Sequence, residues 1–247
     1  MDQRVVLVTG GGKGIGAAIS LLAAQRGYAV AINYRDDQLA ALTVLRRIEA
    51  AGGRGCALKA DVGDAVQVET MMEQVQARLG GLHALVNNAG ITGPIGKFTL
   101  ADPAMIEQVF RTNVFGLMHC CRAAVTRWQA SGAGGVIVNL SSTAATSGSA
   151  NDYVHYAASK AAVDTFTLGL AREVASDGIR VCGVAPGSTA TGIHAKAGEP
   201  DRPARLAPLI PMGRLAQPEE IAQAVVWMLS DGAAYVTGST LRCGGGL

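Results

Sequence analysis

The sequence predicts an α/β protein with a doubly wound parallel sheet of about seven strands and helices on both faces. Two observations predict it. Short β-branched runs alternate with longer stretches of helical period along the whole chain, and a glycine-rich turn follows the first of these runs. Strands separated by helices of about 10–15 residues form a parallel sheet, and right-handed crossovers then place helices on both of its faces.

The composition suits this architecture. Hydrophobic residues make up 49% of the 247 residues and charged residues only 16%. Strands that are buried on both faces read as continuous apolar runs. A chain of this length forms one α/β domain, so we predict a single domain over residues 1–247.

The first strand is the β-branched run 4–9, and the helical period of 15–26 that follows it ends at Gly27. The second strand is 28–34. The next helix, 37–51, stops at two successive glycines, which are residues that end helices.

The third strand is 55–60, followed by a helix at 66–79, and the short apolar run 84–87 is the fourth strand. Two separate helices are predicted next, at 101–111 and 115–130.

The fifth strand is 135–140, and a long helical pattern at 153–175 follows it. The run 180–185 is the sixth strand, 218–229 is a helix, and 239–242 is the last strand. The alternation therefore predicts a Rossmann-type sheet.

One segment, 187–217, breaks this rhythm. It contains four prolines and several glycines and has no clear helical or strand period. Loops of this length inside a compact domain are usually functional, so we predict a substrate lid.

Charge and cysteine content exclude several classes of protein. The net charge is +2 and no basic run occurs, which excludes a nucleic-acid surface. No apolar run is long enough to span a membrane or to form a signal peptide. The five cysteines and four histidines lack the spacing of metal ligands, and an odd cysteine count is typical of reduced thiols. We therefore expect a cytoplasmic protein with no membrane association and no metal.

The glycine-rich turn, Thr9-Gly10-Gly11-Gly12-Lys13-Gly14-Ile15-Gly16, lies between a predicted strand and a predicted helix. Glycines let the backbone approach a pyrophosphate, which then faces the amino end of the helix. The spacing differs from both G-x-G-x-x-G and the Walker A loop, because Ile15 replaces the third glycine and no Gly-Lys-Ser/Thr follows.

Tyr156 and Lys160 stand four residues apart in a predicted helix, which places both side chains on one face. An unperturbed tyrosine has a pKa of about 10. A fixed ammonium beside it is expected to lower that pKa towards the range of a general acid–base.

These motifs occur in the order found in one family. The glycine turn, Asp61-Val62, Asn87-Asn88-Ala89-Gly90, Asn113, Ser142, the Tyr156/Lys160 pair and Pro186-Gly187-x-x-x-Thr191 resemble those of the short-chain dehydrogenases/reductases over the whole chain. The resemblance implies hydride transfer between a nicotinamide cofactor and a carbonyl or alcohol, with Tyr156 as the acid–base. Ser142 would stabilise the substrate oxygen, Lys160 would also hold the nicotinamide ribose, and Asn113 would belong to a water-linked proton relay.

The same resemblance implies a set of cofactor-binding residues. Asp61 and Val62 are expected at the adenine, and Asn88, Ala89 and Gly90 at the ribose, whereas Asn87 is expected to be a structural bracket between strands. The full set is Gly10, Gly12, Lys13, Gly14, Ile15, Gly16, Asn33, Tyr34, Arg35, Asp61, Val62, Asn88, Ala89, Gly90, Tyr156, Lys160, Pro186, Gly187, Thr189 and Thr191.

The end of the second strand indicates NADP(H) rather than NAD. The position that is acidic in NAD enzymes is Tyr34, and Arg35 and Lys13 are cations that can pair with a 2′-phosphate. Asp36 and Asp37 come slightly later and are expected to cap the next helix. NADP is thus the preferred cofactor and NAD the alternative.

One departure from the family pattern concerns the substrate. Ser142 lies one residue farther from the tyrosine than is usual, which implies an extra residue in 143–155. His155 is expected to be an exposed loop residue. From the lid, His194, Leu206, Leu209 and Ile210 are the expected substrate contacts, together with Ser142.

Several functions remain open at this point. An NADP-dependent carbonyl reductase or alcohol dehydrogenase comes first, and a 3-oxoacyl-carrier-protein reductase or a glucose dehydrogenase is the alternative. A nucleotide-binding regulator without catalysis is the rival from another class, although it would be expected to lack the serine, the tyrosine or the lysine. The resemblance also implies a homo-oligomer, a tetramer or a dimer, through the helices 115–130 and 153–175.

Overall fold

The computed structural model describes residues 3–247, apart from the side chains of residues 194 and 196. Its strands are β1 (Val5–Val8), β2 (Ala29–Tyr34), β3 (Gly55–Lys59), β4 (Ala84–Asn87), β5 (Gly135–Leu140), β6 (Ile179–Pro186) and β7 (Thr240–Cys243). They pair in parallel throughout, in the order β3-β2-β1-β4-β5-β6-β7. The predicted sheet is therefore confirmed. The chain reverses its direction of winding between β1 and β4.

Helices cover both faces of this sheet. They are α1 (Gly14–Gln25), α2 (Gln38–Ala50), α3 (Ala65–Leu79), α4 (Pro103–Phe110), α5 (Gly116–Ser131), α6 (Ala144–Ser147), α7 (Val154–Val174), α8 (Ile193–Lys196), α9 (Arg202–Leu206) and α10 (Pro218–Leu229). One core packs α1, α2 and α10 against the sheet, and a second core on the opposite face packs α3, α5 and α7. The result is a three-layer α/β/α molecule.

The segment between β4 and β5 differs from its prediction. Instead of two separate helices, α4 continues into α5 through a π-helical turn at Arg111–Phe115. Residues 111–115 include no glycine or proline, and the backbone is helical at both ends of the turn. Sequence periodicity therefore detects the helices but not the continuous junction. Such π-turns are frequent at functional sites.

The lid segment 187–217 contains more regular structure than its prolines and glycines suggest. The two short helices α8 and α9 lie in it, followed by a 3₁₀ turn at Ala207–Leu209. Its two ends are joined by a parallel bridge between Thr189 and Ala216. The expectation that these residues form no helix is thus wrong for α8 and α9.

A polar chain and several thiols lie inside the molecule. Asn87 donates to Asn139 Oδ1 at 2.9 Å, and Asn139 donates to Thr167 Oγ1 at 2.9 Å, so these side chains tie β4, β5 and α7 together. This confirms Asn87 as a bracket between strands. Cys120 and Cys121 of α5 are fully buried beside it.

In the described part of the chain, no helix is both long enough and apolar enough to cross a membrane.

Candidate active site

The glycine-rich turn follows β1 at the carboxyl edge of the sheet. Gly10 and Gly14 have φ angles of +60° and +49°, which favour glycine. A Cβ on Gly16 would lie 2.3 Å from the carbonyl oxygen of Gly10, so no larger residue fits there. The helix α1 begins here without a side-chain cap, which leaves N–H groups at its amino end for an anion.

Two asparagines hold this turn in place. Asn33 Oδ1 accepts from Gly10 N at 3.2 Å, and Asn88 Nδ2 donates to the carbonyls of Thr9 and Gly10 at 2.9 and 3.1 Å. Thr9 Oγ1 in turn accepts from the backbone of Asn88 and Ala89, each at 3.0 Å. The side chains of Asn33 and Asn88, expected to contact the cofactor, are thus engaged in shaping its turn.

Two cations lie beside the turn at the end of β2. Arg35 pairs with Asp36 at 2.7 Å, and Lys13 pairs with Asp37. Both cations are about half exposed, at 47% and 51%. Asp37 also caps α2 by accepting from Ala40 N, as predicted, whereas Asp36 contacts Arg35 instead of capping the helix.

The third and fourth strands end at the same carboxyl edge of the parallel sheet as β1 and β2. Asp61 Oδ1 accepts from Gly63 N at 2.9 Å. Val62 packs tightly against Gly116, because a Cβ on Gly116 would lie only 2.7 Å from the Val62 side chain. A Cβ on Gly90 would lie 3.3 Å from Asn113 Oδ1 and 3.6 Å from Lys160 Nζ. Gly90 therefore joins the glycine turn to the residues with acid–base chemistry.

Tyr156 and Lys160 lie on α7, with the Lys160 Nζ atom 5.8 Å from the centroid of the Tyr156 ring. Ser142, which follows β5, lies close enough to Tyr156 for its hydroxyl to favour the ionised phenol and so to lower its pKa. Lys160 is buried and donates to the Leu140 carbonyl at 2.6 Å. The structure thus brings together the three residues that the sequence selects.

The pKa values in this cluster differ from the expected pattern. Burial raises the pKa of the Tyr156 phenol above its ordinary value, and the Ser142 hydroxyl only partly offsets this. Burial also lowers the pKa of Lys160 to about 8. The expectation that the pKa of Tyr156 falls is wrong for this structure, because burial is the largest influence on this phenol and raises its pKa.

Asn113 lies in the π-turn and faces the same cluster. Its Oδ1 accepts from Ile91 N at 2.9 Å, and its Nδ2 donates to Ile91 O at 2.9 Å and to Ser159 Oγ at 3.0 Å. Both amide donors are therefore in use. The side chain fixes the loop after β4 against α7, next to Lys160.

The segment after β6 closes the site from above. Gly187 donates its N–H to Cys243 O at 2.8 Å, and Thr189 Oγ1 donates to Gly187 O at 3.0 Å. The methyl of Thr191 lies 3.2 Å from where a Cβ on Gly14 would be. Thr191 thus lies against the glycine turn, and the expected contacts of Pro186, Gly187, Thr189 and Thr191 with the cofactor stay a prediction.

The predicted lid contacts separate into three groups. Leu206 is half-buried and Leu209 is 63% exposed, so both remain candidates for substrate contact. Ile210 is buried near Gly245 of the carboxyl-terminal segment and lines a small cavity together with Ser188 and Met212. Its contact with the substrate stays a prediction. The side chain of His194 lies outside the described residues.

Sequence reasoning missed three residues at the mouth of the site. Arg202 of α9 is buried and contacts both Asp152 and Tyr153, and Tyr153 in turn packs on Tyr156. The extra residue in 143–155 was the only signal of an unusual loop there. His155, expected to be exposed, is buried at the start of α7, with Nε2 2.9 Å from Thr92 O.

These residues fit a dinucleotide. The uncapped helix end and the narrow glycine turn suit a pyrophosphate, and the site lies where the strand order reverses, which is where open α/β sheets bind ligands. A groove also lies at the opposite edge of the sheet, but its Arg4 and Arg180 are engaged with Asp231 and with backbone carbonyls. Among the described residues, no group of three His, Cys, Asp or Glu side chains could hold a metal.

Comparisons with known proteins place this geometry in context. A family profile described as enoyl-(acyl carrier protein) reductase matches residues 10–247. An uncharacterized oxidoreductase of Escherichia coli, YgfF, is 49% identical over 99% of this chain and 100% of its own length. The 3-oxoacyl-[acyl-carrier-protein] reductase FabG of Staphylococcus aureus is 37% identical over 99% of this chain and 98% of its own. A short-chain type dehydrogenase/reductase from Mycobacterium marinum superposes with a TM-score of 0.92 at 31% identity, over 99% of this chain and 95% of that one.

Proposed function

Because the chain belongs to the short-chain dehydrogenase/reductase family of oxidoreductases, we propose that it transfers a hydride between NADP(H) and a carbonyl or alcohol substrate. The observation that carries this proposal is the grouping of Ser142, Tyr156 and Lys160 beside the glycine turn. The substrate is a small molecule that enters beneath the lid.

Tyr156 is the proposed general acid–base. A bound nicotinamide supplies or accepts the hydride. During reduction, negative charge develops on the carbonyl oxygen and Tyr156 donates its phenolic proton to it; in the reverse direction the phenolate accepts the proton of the alcohol. Ser142 donates a hydrogen bond to the same oxygen and stabilises its developing charge.

Lys160 and Asn113 are proposed to support this proton transfer. An ammonium has three N–H donors and Leu140 O takes one, so the others are free for the ribose hydroxyls of the cofactor. The side-chain donors of Asn113 are used by Ile91 and Ser159. We therefore assign Asn113 to holding the π-turn and the loop at Ile91 beside Lys160, where a water-linked relay would run.

NADP(H) is proposed as the preferred cofactor because two cations border the position of the 2′-phosphate. The ion pairs of Arg35 and Lys13 are about half exposed, and surface pairs of this kind contribute at most about 1 kcal/mol. A charge-assisted hydrogen bond to phosphate contributes about 1.5–3 kcal/mol, so a phosphate can displace the aspartates. Tyr34 offers no carboxylate for the ribose of NAD.

A 3-oxoacyl-carrier-protein reductase is the second candidate, since FabG is a relative of the whole chain. Docking of an acidic carrier protein needs cations near the site. The segment 131–134 has none, and Asp177 accepts from Gln129 at 2.7 Å where such enzymes often carry arginine. A sugar dehydrogenase is equally compatible with the site. The presence of all three reactive side chains argues against a regulator without catalysis.

The assembly and the location of the protein belong to the same proposal. Phe115 at the end of the π-turn and Val154 and Leu168 on α7 are exposed large apolar side chains, and they favour a homo-oligomer, either a tetramer or a dimer. The unpaired thiols favour the cytoplasm.

Initial rates with NADPH and with NADH test the function. Butane-2,3-dione, a set of ketones, glucose and a 3-oxoacyl thioester would each be assayed with both cofactors. We expect turnover of at least one carbonyl with a clear preference for NADPH. Tight NADPH binding without turnover of any substrate would indicate the regulator instead.

A further inference from the structure

A buried arginine anchors the lid. Arg202 of α9 is 4% exposed, although arginine is rarely buried without partners. Its guanidinium donates to Asp152 at 2.7 Å and to Glu199 at 3.3 Å, so two carboxylates compensate its charge. Asp152 belongs to the loop that precedes α7, and Glu199 belongs to the lid itself.

The same guanidinium contacts an aromatic pair that leads to the proton donor. It donates to the Tyr153 hydroxyl at 3.0 Å, and its carbon lies 5.0 Å from the centroid of the Tyr153 ring, within the range of a cation–π contact. The Tyr153 ring is 5.2 Å from that of Tyr156 at an interplanar angle of 85°. Arg202, Tyr153 and Tyr156 therefore form a continuous row of contacts.

The loop that carries Asp152 is held in an unusual conformation. Ser149 and Asn151 have φ angles of 45° and 63°, which side chains other than glycine rarely adopt. Such conformations persist where surrounding contacts enforce them. Here the carbonyl of Asp152 accepts from Gly96 N at 2.7 Å, in the region of the extra residue between Ser142 and Tyr156.

The loop after β4 completes this junction. The N–H of Ile95 donates to the carbonyl of Ala197 in the lid at 3.0 Å. Three segments that border the substrate cleft, 91–100, 148–153 and 193–206, are thus joined to one another. The charged and aromatic contacts of Arg202 lie at their meeting point.

We propose that Arg202 is a positioning residue that fixes the lid to the loop before α7 and holds the Tyr153 ring as a wall of the substrate cleft beside Tyr156. An aromatic wall at this place favours a planar apolar group next to the reacting carbonyl. Arg202 thereby determines which substituent the cleft accepts. This inference rests on the proposed function, because it takes Tyr156 as the proton donor.

The test compares Arg202→Met with a matched control, Arg205→Met. Arg205 lies on the same helix and pairs with Glu199 at 2.7 Å, but it is half exposed and donates its hydrogen bonds to Glu199 rather than to Asp152 or Tyr153. The substrates are butane-2,3-dione and 1-phenylpropane-1,2-dione. For Arg202→Met we expect kcat/KM for the phenyl diketone to fall about tenfold relative to the smaller one, which corresponds to about 1.4 kcal/mol. The Arg205→Met variant should leave this ratio unchanged.

Two further variants separate positioning from a general loss of structure. Tyr153→Leu removes the ring and should reproduce the altered ratio, whereas Tyr153→Phe keeps the ring and should preserve it. Combining Asp152→Asn with Arg202→Met should add little to Arg202→Met alone, because residues that act as a unit are not additive. If Arg202→Met does not fold, Asp152→Asn, which keeps the shape of the partner, takes its place in the comparison.

Two measurements without turnover accompany the kinetics. NADPH affinity, measured by fluorescence, should be unchanged in Arg202→Met. Amide exchange in residues 193–209 should become faster in Arg202→Met and not in Arg205→Met. Equal losses for both diketones together with weaker NADPH binding, or equal exchange in the two variants, would overturn the inference. If the wild-type protein reduces no carbonyl, the proposed function fails, and the exchange comparison still decides whether Arg202 fastens the lid.

Discussion

The proposed proton transfer at this site depends on a single phenol, that of Tyr156. Tyr156→Phe keeps the ring and its contact with Tyr153 but removes the hydroxyl that we propose protonates the substrate oxygen. We expect turnover to fall by about 10²–10⁴-fold, the usual contribution of a general acid. NADPH affinity, measured by fluorescence titration, should stay within a factor of two, roughly the limit of such a titration, since the hydroxyl acts in the chemical step. A variant that keeps more than a tenth of the wild-type rate would contradict this role, and the exposed Tyr235→Phe serves as the control.

The ammonium of Lys160 gives the reaction a pH dependence. Its pKa is lowered to about 8 by burial, so the side chain is charged below that pH and neutral above it. The pKa of Tyr156 is raised, so the phenol stays protonated through this range. We expect kcat/KM for carbonyl reduction to decrease as the pH rises through about 8, as Lys160 loses its charge.

The matched variant for this limb is Lys160→Arg. A guanidinium stays charged, since its pKa is above about 12. The fall in kcat/KM should therefore move to higher pH, even if the rate at neutral pH is lower. If the fall in kcat/KM stays at the same pH in Lys160→Arg, the group that titrates is not Lys160.

Arg35 should decide between the two nicotinamide cofactors. Arg35→Ala removes one charge-assisted contact of about 1.5–3 kcal/mol, which corresponds to roughly 10–150-fold weaker NADPH binding. NADH affinity should change much less, because NADH has no 2′-phosphate. Isothermal titration with both cofactors measures this, with the exposed Arg46→Ala on α2 as the control. Equal losses for both cofactors would refute the assignment to NADP.

Among single residues, the sequence predicted those whose chemistry is local. The i, i+4 spacing of Tyr156 and Lys160 places them on one helical face whatever surrounds them. Desolvation depends on the whole fold, so the spacing of residues in the sequence could not predict the raised pKa of Tyr156. The engagement of Asn33 and Asn88 with Gly10 depends on three strands meeting at one point, which no spacing reveals.

At the scale of elements, β-branched runs and helical period locate the strands and most helices within one or two residues. They fail where backbone geometry changes without a change of residue type, as in the π-turn at Arg111–Phe115. They also fail for α8 and α9, because helices this short arise from tertiary contacts such as those of Arg202 rather than from propensity.

The lid is the element for which motion is predicted. Closure over the cofactor would exclude water from the reaction, and loops of this kind move between open and closed states. We expect amide exchange across 187–217 to slow when NADP and a substrate analogue bind. The control is residues 218–229, which are packed in the core and should not respond. If exchange in this segment is slow in the free protein and does not change when ligands bind, the segment is a fixed part of the fold and not a lid.

For the whole molecule, the arrangement of layers followed from the alternation of strands and helices, because handedness leaves few ways to wind a parallel sheet. The carboxyl edge of that sheet gathers the turns after β1, β4, β5 and β6 into one cleft. The structure at the mouth of the cleft could not be predicted from this alternation, because it depends on an ion pair between Arg202 of the lid and Asp152, fifty residues earlier in the sequence.

The buried thiols of α5 can report how often the core of the folded protein opens. Cys120 is fully enclosed between α5 and the sheet, and burial raises its pKa to about 12. Alkylating reagents attack the thiolate, so this side chain is protected by both exclusion and protonation. Cys243, on the edge strand β7, is only partly covered and should be modified first. Cys120 and Cys121 can react only when the core opens, so their modification rate reports how often α5 separates from the sheet. Mass spectrometry can measure this rate under native conditions.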